Sequence, residues 1–265
     1  MIIAGEGVYS RMHHFKNTNL IKDQRNYEEE TQRRIEFIRD IIKSAGADGV
    51  VYGNSGGKDS ALVGVLCKMA CDNTVGLIMP CGAKRNYGTD KTDAENMAQR
   101  YGISTRVIDL SDVKIELVRI LGEKIEITDS AFVNIAPRIR MTALYAAAAS
   151  ENRLVAGTGN RSEGYMGYFT KWGDGAYDFN PIADLTVTEV YEFLRHLDAP
   201  DFILDKAPSA GLFDGQTDED EMGISYASID AFLLTGAANR RDMAVIENFH
   251  KKSEHKRSMP LTFRN

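Results

Sequence analysis

The 265-residue sequence has only three cysteines, Cys67, Cys71 and Cys81. A low, odd count excludes a disulfide framework and suits a reducing compartment, and no further ligands for a structural zinc lie nearby. Long apolar runs are missing too: the longest, Ala143 to Ala149, falls far short of the ~18 residues that cross a bilayer, so no membrane partner is expected. Residues 1–20 mix Glu6, Arg11, His13, His14 and Lys16 with small and polar residues and lack the apolar centre of a secretory signal. A cytoplasmic location follows as the expectation. Basic residues are outnumbered, 32 Lys and Arg against 38 Asp and Glu, and a net charge of −6 offers no broad attraction to phosphate backbones. No nucleic-acid partner is therefore expected. There is no repeat, no low-complexity tract and no Pro/Gly/Ser linker, so residues 1–265 read as a single domain, with 1–26 an N-terminal extension. What is present is ordinary globular usage, 43% hydrophobic and 26% charged, enough for a sizeable core.

Along the chain, strand and helix patterns alternate. Tyr27 to Ala45 places Ile35, Ile38, Ile41 and Ile42 at helical spacing and stops at Gly46. Gly49 to Gly53 reads as a buried strand, followed by a helix over Ser60–Cys71, a strand over Thr74–Met79 and a helix over Thr89–Tyr101. A strand over Thr105–Leu110, helices over Asp112–Leu121 and Asn134–Ser150, and a strand over Arg153–Ala156 complete the pattern. Pro137 is expected in the first turn of the second of these helices, where a missing N–H is harmless. Such alternation predicts an α/β fold: a Rossmann-like, doubly wound parallel sheet flanked by helices, with ligands at the carboxyl ends of the strands. Beyond Gly157 a long Gly, Asp and Thr-rich stretch gives way to a helical C-terminal part, with helices near Thr188–Leu197, Ser225–Leu234 and Asp242–His250. Loops of that length usually carry function.

Between the first strand and the next helix lies Ser55-Gly56-Gly57-Lys58-Asp59-Ser60. Backbone N–H groups at such a junction, together with the helix dipole, attract phosphate. It is not a Walker loop, which would need glycine where Tyr52 stands and Ser or Thr where Asp59 stands. A bare Gly-Gly could equally be a tight turn. The serines and Asp59 instead resemble the pyrophosphate-binding loop of the N-type ATP pyrophosphatases, which cleave ATP between its α and β phosphates and adenylate a carbonyl oxygen.

Later motifs narrow the resemblance. Asn134-Ile135-Ala136-Pro137-Arg138-Ile139-Arg140-Met141, Gly157-Thr158-Gly159-Asn160-Arg161-Ser162-Glu163 and Gly167 to Gly175 stand in order, followed by Pro208 to Leu212, Gln216-Thr217-Asp218-Glu219 and Met222 to Tyr226. Together they resemble the ammonia-dependent NAD synthetases from roughly Ile35 to the C-terminus. The resemblance implies a ligase that uses ATP to adenylate the nicotinate carboxylate of deamido-NAD, releases pyrophosphate, and lets ammonia displace AMP. It further implies Gly53, Asn54, Ser55, Gly56, Gly57, Lys58, Asp59, Ser60, Thr158 and Ser209 as ATP-binding residues. By the same carry-over Asp59 and Glu163 hold Mg2+, Arg138, Lys171, Asp178, His255 and Lys256 hold deamido-NAD, and Arg138 reaches across the interface of a homodimer.

Some readings stay with the residues themselves. Val187 stands where the family more often has a lysine on the ATP phosphates, and Lys58 is a candidate to replace that cation; adding lysine at 187 should then offset loss of Lys58. The alternative is a Lys58 that points to solvent, its charge opposing the helix dipole. Arg140 reads as part of a solvated helix face. Cys67 and Cys71, at i and i+4, read as buried thiols packing on the sheet, and Met141, Leu144 and Tyr145 as core. Rival functions are another adenylating pyrophosphatase, such as a GMP synthetase core or a tRNA-modifying enzyme, and a nucleotide-sensing module that has lost catalysis. The later motifs oppose the first two, the acidic composition opposes RNA binding, and Asp59 with Glu163 opposes the last.

Overall fold

Asn26 opens helix α1 (Tyr27–Ala45): its side chain accepts from the Glu29 N–H, Glu28 to Glu30 complement the helix dipole, and Gly46 at φ 63° ends it. The computed structural model describes residues 25–206, 208 and 217–263. Four strands follow in chain order: β1 (Gly49–Gly53), β2 (Thr74–Ile78), β3 (Ser104–Val107) and β4 (Arg153–Ala156). They form one sheet of order β3-β2-β1-β4, all neighbours parallel, with Val51 opposite both Val75 and Val155. Helices α2 (Lys58–Ala70), α3 (Thr89–Arg100), α4 (Ser111–Gly122) and α5 (Asp129–Ser150) make the crossovers.

The period of two along β1 divides the core. Val50 and Tyr52 pack with Leu62 and Leu66 of α2, with Ile38 of α1 and with Phe193 on one face. Val51 packs with Val75, Leu77, Val155, Met141 and Leu144 on the other. Each such side chain contributes about 1.5–3 kcal/mol through burial. A third cluster, of Met166, Val187, Tyr191, Tyr226, Ile229 and Ile246, belongs to the C-terminal part. It joins α6 (Arg161–Met166) to α7 (Val187–His196), α10 (Tyr226–Thr235) and α11 (Arg240–Lys252), with α8 (Asp201–Leu204), α9 (Asp218–Met222) and α12 (Glu254–Arg257) as short connectors.

Several expectations are corrected. Helix α5 starts at Asp129, because the Thr128 hydroxyl accepts from the Ala131 N–H, so Pro137 stands in the helix interior. Its ring is buried, and a Cβ on Gly173 would come within 2.8 Å of the Pro137 Cβ. Strand β3 ends at Val107, although the N–H groups of Ile108 and Leu110 still donate to the carbonyls of Ile78 and Pro80. Tyr145 is exposed rather than core, and Cys71 is only part-buried, while Cys67, Met141 and Leu144 are buried as expected. Among the described residues, no helix is long and apolar enough to cross a membrane.

Candidate active site

The chain runs from β1 to β2 to β3 in one direction and places β4 on the other side of β1. The loops after β1 and β4 therefore splay apart at their carboxyl ends, which is where an open α/β sheet binds its ligand. A cavity of about 610 Å³ lies there, lined from both loops, from α5 and from the C-terminal helices.

The first loop is held in place by its neighbours. Gly56 sits at φ 73°, and a Cβ there would fall 2.1 Å from the Asp90 carbonyl oxygen, so the loop lies against α3 as only glycine permits. The Asn54 side chain donates to the Ala94 carbonyl at 3.1 Å, and the Lys206 ammonium donates to the Gly56 carbonyl at 2.9 Å and to Asp93 at 2.7 Å. Ser55 and Ser60 bond to each other at 3.0 Å. Gly57 caps α2 with no side-chain bond, which leaves the first-turn donors for an anion.

Behind the loop stand the charged groups. Lys58, only 6% exposed, places its ammonium 2.7 Å from Asp59, which corrects the picture of a solvent-facing lysine. Asn160 joins the two loops: its amide donates to Asp59 at 3.1 Å, and its side-chain oxygen accepts from the Glu163 N–H at 3.0 Å. Glu163 in return accepts from the Asn160 N–H at 3.0 Å, a capping box at the start of α6. Burial, and then the charge of Asp59, holds the Glu163 carboxyl well above the usual range. The Lys58 ammonium is raised: burial opposes its charge, but Asp59 and then Tyr191 and Glu163 more than offset that. Asp218 adds a third carboxylate, accepting from the Tyr226 hydroxyl at 3.0 Å. Negative charge outweighs the ammonium here, and a hard divalent cation sharing Asp59 and Glu163 would redress it. Among the described residues no group of three or more His, Cys, Asp or Glu forms a metal cage. Magnesium, which typically takes one or two carboxylates and completes its shell with phosphate and water, fits such a donor set.

The cavity lining brings together Gly53, Asn54, Ser55, Gly57, Lys58, Asp59, Ser60, Thr158, Glu163 and Lys256 from the residues expected at the site. Lys256 donates to the carbonyls of Gly167 and Phe169 at 2.9 and 2.7 Å, which docks α12 beside α6. Arg138, Lys171, Asp178 and His255 lie outside the lining. Arg138 is exposed and donates to the Lys171 carbonyl at 3.3 Å, Lys171 donates to the His255 carbonyl, and Asp178 accepts from the Val155 N–H at 2.7 Å. Ser209 falls outside the described residues. Val187 is wholly buried beside Met166 and Tyr191, so a lysine there would enter the core and could not offset loss of Lys58. Arg140, expected on a solvated face, is part-buried and lines the cavity. Asn160 and Lys206 were missed as well. The Asn-x-x-Glu spacing at 160–163 was a legible capping signal, whereas nothing local in the sequence marks Lys206.

The family model described as NAD synthase matches residues 30–260. The chain belongs to that family. It is 44% identical over 238 residues to the NH(3)-dependent NAD(+) synthetase of Carboxydothermus hydrogenoformans, covering 89% of this chain and 97% of the relative. Identity to the synthetase of the same description from Archaeoglobus fulgidus is 45% over 243 residues, covering 89% and 96%. Among solved structures, the NMN synthetase of Francisella tularensis superposes with a TM-score of 0.86 at 37% identity, covering 91% of this chain and all of that one. The NH3-dependent NAD synthetase of Campylobacter jejuni gives 0.74 at 30% identity, with the same coverage. Family members thus share the parallel sheet and flanking helices described above.

Proposed function

We propose that the protein is an ammonia-dependent NAD synthetase, converting deamido-NAD to NAD with ATP. The observation that carries this is the phosphate-ready loop facing the Asp59–Asn160–Glu163 bridge across one cavity, in a chain that spans 97% of an NH(3)-dependent relative. In the reaction a nicotinate carboxylate oxygen attacks the α-phosphorus of ATP, the bond to the β-phosphate breaks, and pyrophosphate leaves with its electron pair. Ammonia then adds to the acyl carbon and loses a proton, and AMP departs.

The loop donors of residues 55–60 hold the phosphate oxygens, and the dipole of α2 favours the charge that develops on pyrophosphate. Asp59 and Glu163 would hold magnesium, which supplies positive charge where two anions must meet. Lys58 holds Asp59 in place, Asn160 fixes both carboxylates to one geometry, and Thr158 and Ser209 join the ATP contacts. Arg138, Lys171, Asp178, His255 and Lys256 bind deamido-NAD. A homodimer is part of this reading, supported by the apolar side chains that α4 and its neighbours leave in water. The free thiols of Cys67, Cys71 and Cys81 suit a cytoplasmic setting.

Likeness to the Francisella enzyme favours a second substrate, nicotinate mononucleotide, which would react by the same steps. Purified protein with ATP, magnesium and ammonium, offered each nicotinate nucleotide in turn, separates the two. Pyrophosphate release and NAD formation with deamido-NAD is the expected result. Preference for the mononucleotide would establish the second reading, and release with neither would overturn both.

A further inference from the structure

Arg140 stands on α5, and its guanidinium spans the cavity edge at the carboxyl end of β2. Nε donates to the Met79 carbonyl at 2.9 Å and Nη2 to the Asn86 side-chain oxygen at 3.0 Å. Both acceptors are neutral. Among the described residues no carboxylate stands within ion-pair distance, and Nη1 has no hydrogen-bond partner. The acids that act on it from farther off are engaged elsewhere: Asp90 lies 2.9 Å from Lys206, and Asp174 accepts from the Thr170 N–H at 3.0 Å. Burial depresses its pKa.

Even a part-buried cation without a counter-ion is costly, and a ligand that supplies the anion offsets that cost. Three of the other cations of the lining show the contrast, and Lys252 is exposed to solvent. Lys58 is paired with Asp59, Lys206 with Asp90 and Asp93, and Lys91 with Glu95. Lys256 is like Arg140, held by two carbonyls with its charge left over. Two neutral acceptors fix the plane of the Arg140 fork, and the remaining N–H groups form an edge of the kind that grips two oxygens of one oxyanion.

We propose that Arg140 is a substrate-binding residue that takes an oxyanion of one of the two nucleotides, through the guanidinium edge left free by Met79 and Asn86. The proposal rests on the synthetase reading for the identity of those nucleotides. Its source is either a phosphate of ATP or an oxyanion of deamido-NAD, and the two are told apart by binding.

The test is calorimetric titration of wild type, Arg140→Met and Arg140→Lys with ATP and magnesium, and separately with deamido-NAD, with thermal melts alongside. Arg140→Met is expected to bind one nucleotide roughly tenfold or more weakly and the other within about twofold, as loss of one charge-assisted fork contact requires. Arg140→Lys, which keeps the charge but not the fork, should fall between. Weakened ATP identifies the triphosphate, and weakened deamido-NAD identifies the dinucleotide. Should Arg140→Met not fold, Arg140→Lys decides by the same criterion. A folded variant with both affinities within about twofold of wild type, whatever its melting temperature, shows that Arg140 only clips Met79 and Asn86, and overturns the proposal. If wild type itself binds neither nucleotide, the synthetase reading falls and takes this one with it.

Discussion

At the residue scale the site is a problem in charge. Glu163 and Asp59 are joined through Asn160, and the protein supplies Lys58 as the ammonium bonded to Asp59. Asp59→Asn and Glu163→Gln should each slow pyrophosphate release by about 10²–10³-fold, because a neutral ligand cannot balance a metal and two phosphates. Melting temperature should stay or rise in Glu163→Gln, since the buried ionised form is the strained one. The double variant should lose little more than either single one, as both serve one ion. Near-native turnover in either would remove that side chain from the chemistry. Lys58→Gln is a different kind of change. It leaves Asp59 part-buried without its charged partner, so a loss of about 3 kcal/mol in denaturant unfolding is expected, together with roughly tenfold poorer ATP kinetics. Unchanged stability and ATP kinetics would reduce Lys58 to a spectator. Adding Val187→Lys should destabilise further, because residue 187 is wholly buried.

At the scale of elements, the start of α7 is organised by one acid. Asp230 on α10 accepts from Ser162 on α6 at 2.5 Å and from the hydroxyl and N–H of Thr188 at 2.7 Å. Burial raises its pKa, although all three bonds favour the ionised form. A carboxyl with a folded pKa above its unfolded one binds protons more tightly when folded, so its contribution to stability declines as pH rises from the unfolded value, about 4, through the folded value. Asp230→Asn should flatten that part of the profile, from about pH 4 upward, in denaturant melts. An unchanged slope would mean the aspartate titrates alike in both states. Elements of this kind mark the limit of what the sequence makes legible. Helix α1 and strand β1 were readable to the residue because periodicity, Gly46 and Gly53 bound them locally. The start of α5 was not, since Pro137 imitates a helix start while the actual cap, Thr128, lies nine residues earlier. The phosphate loop, Asp59, Thr158 and Glu163 were visible as motifs. Arg140, Lys206 and the burial of Lys58 were not, because each depends on what a distant segment places beside it: Met79, Gly56 or Tyr191.

For the whole molecule, one cluster of apolar side chains left in water lies on α4 and its neighbours. Val113, Ile115 and Ile120 are 49%, 65% and 49% exposed, with Val107, Ile125 and Phe132 exposed beside them. Soluble monomers seldom leave several large aliphatic side chains of one helix and its neighbours in water, and such a face marks an interface. Under the proposed homodimer its occupant is a second copy of the chain. Arg138 lies on α5, which packs against α4, and among the described residues its guanidinium bonds only to the carbonyls of Lys171 and Asn134. Its charge is thus left for a ligand, and the dimer reading assigns that ligand to the partner's cavity. Replacing Ile115 and Ile120 together by aspartate should convert a dimer into a monomer in sedimentation velocity, because two buried carboxylates without partners cost more than the apolar contact they interrupt returns. In that monomer ATP binding should persist, since the residues 55–60 loop, Asp59 and Glu163 come from one chain. Deamido-NAD binding should weaken by roughly tenfold or more, the value of one lost charge-assisted contact or greater. A variant that stays dimeric places the interface elsewhere. A monomer with undiminished deamido-NAD affinity would confine Arg138 to its own subunit and separate assembly from substrate binding.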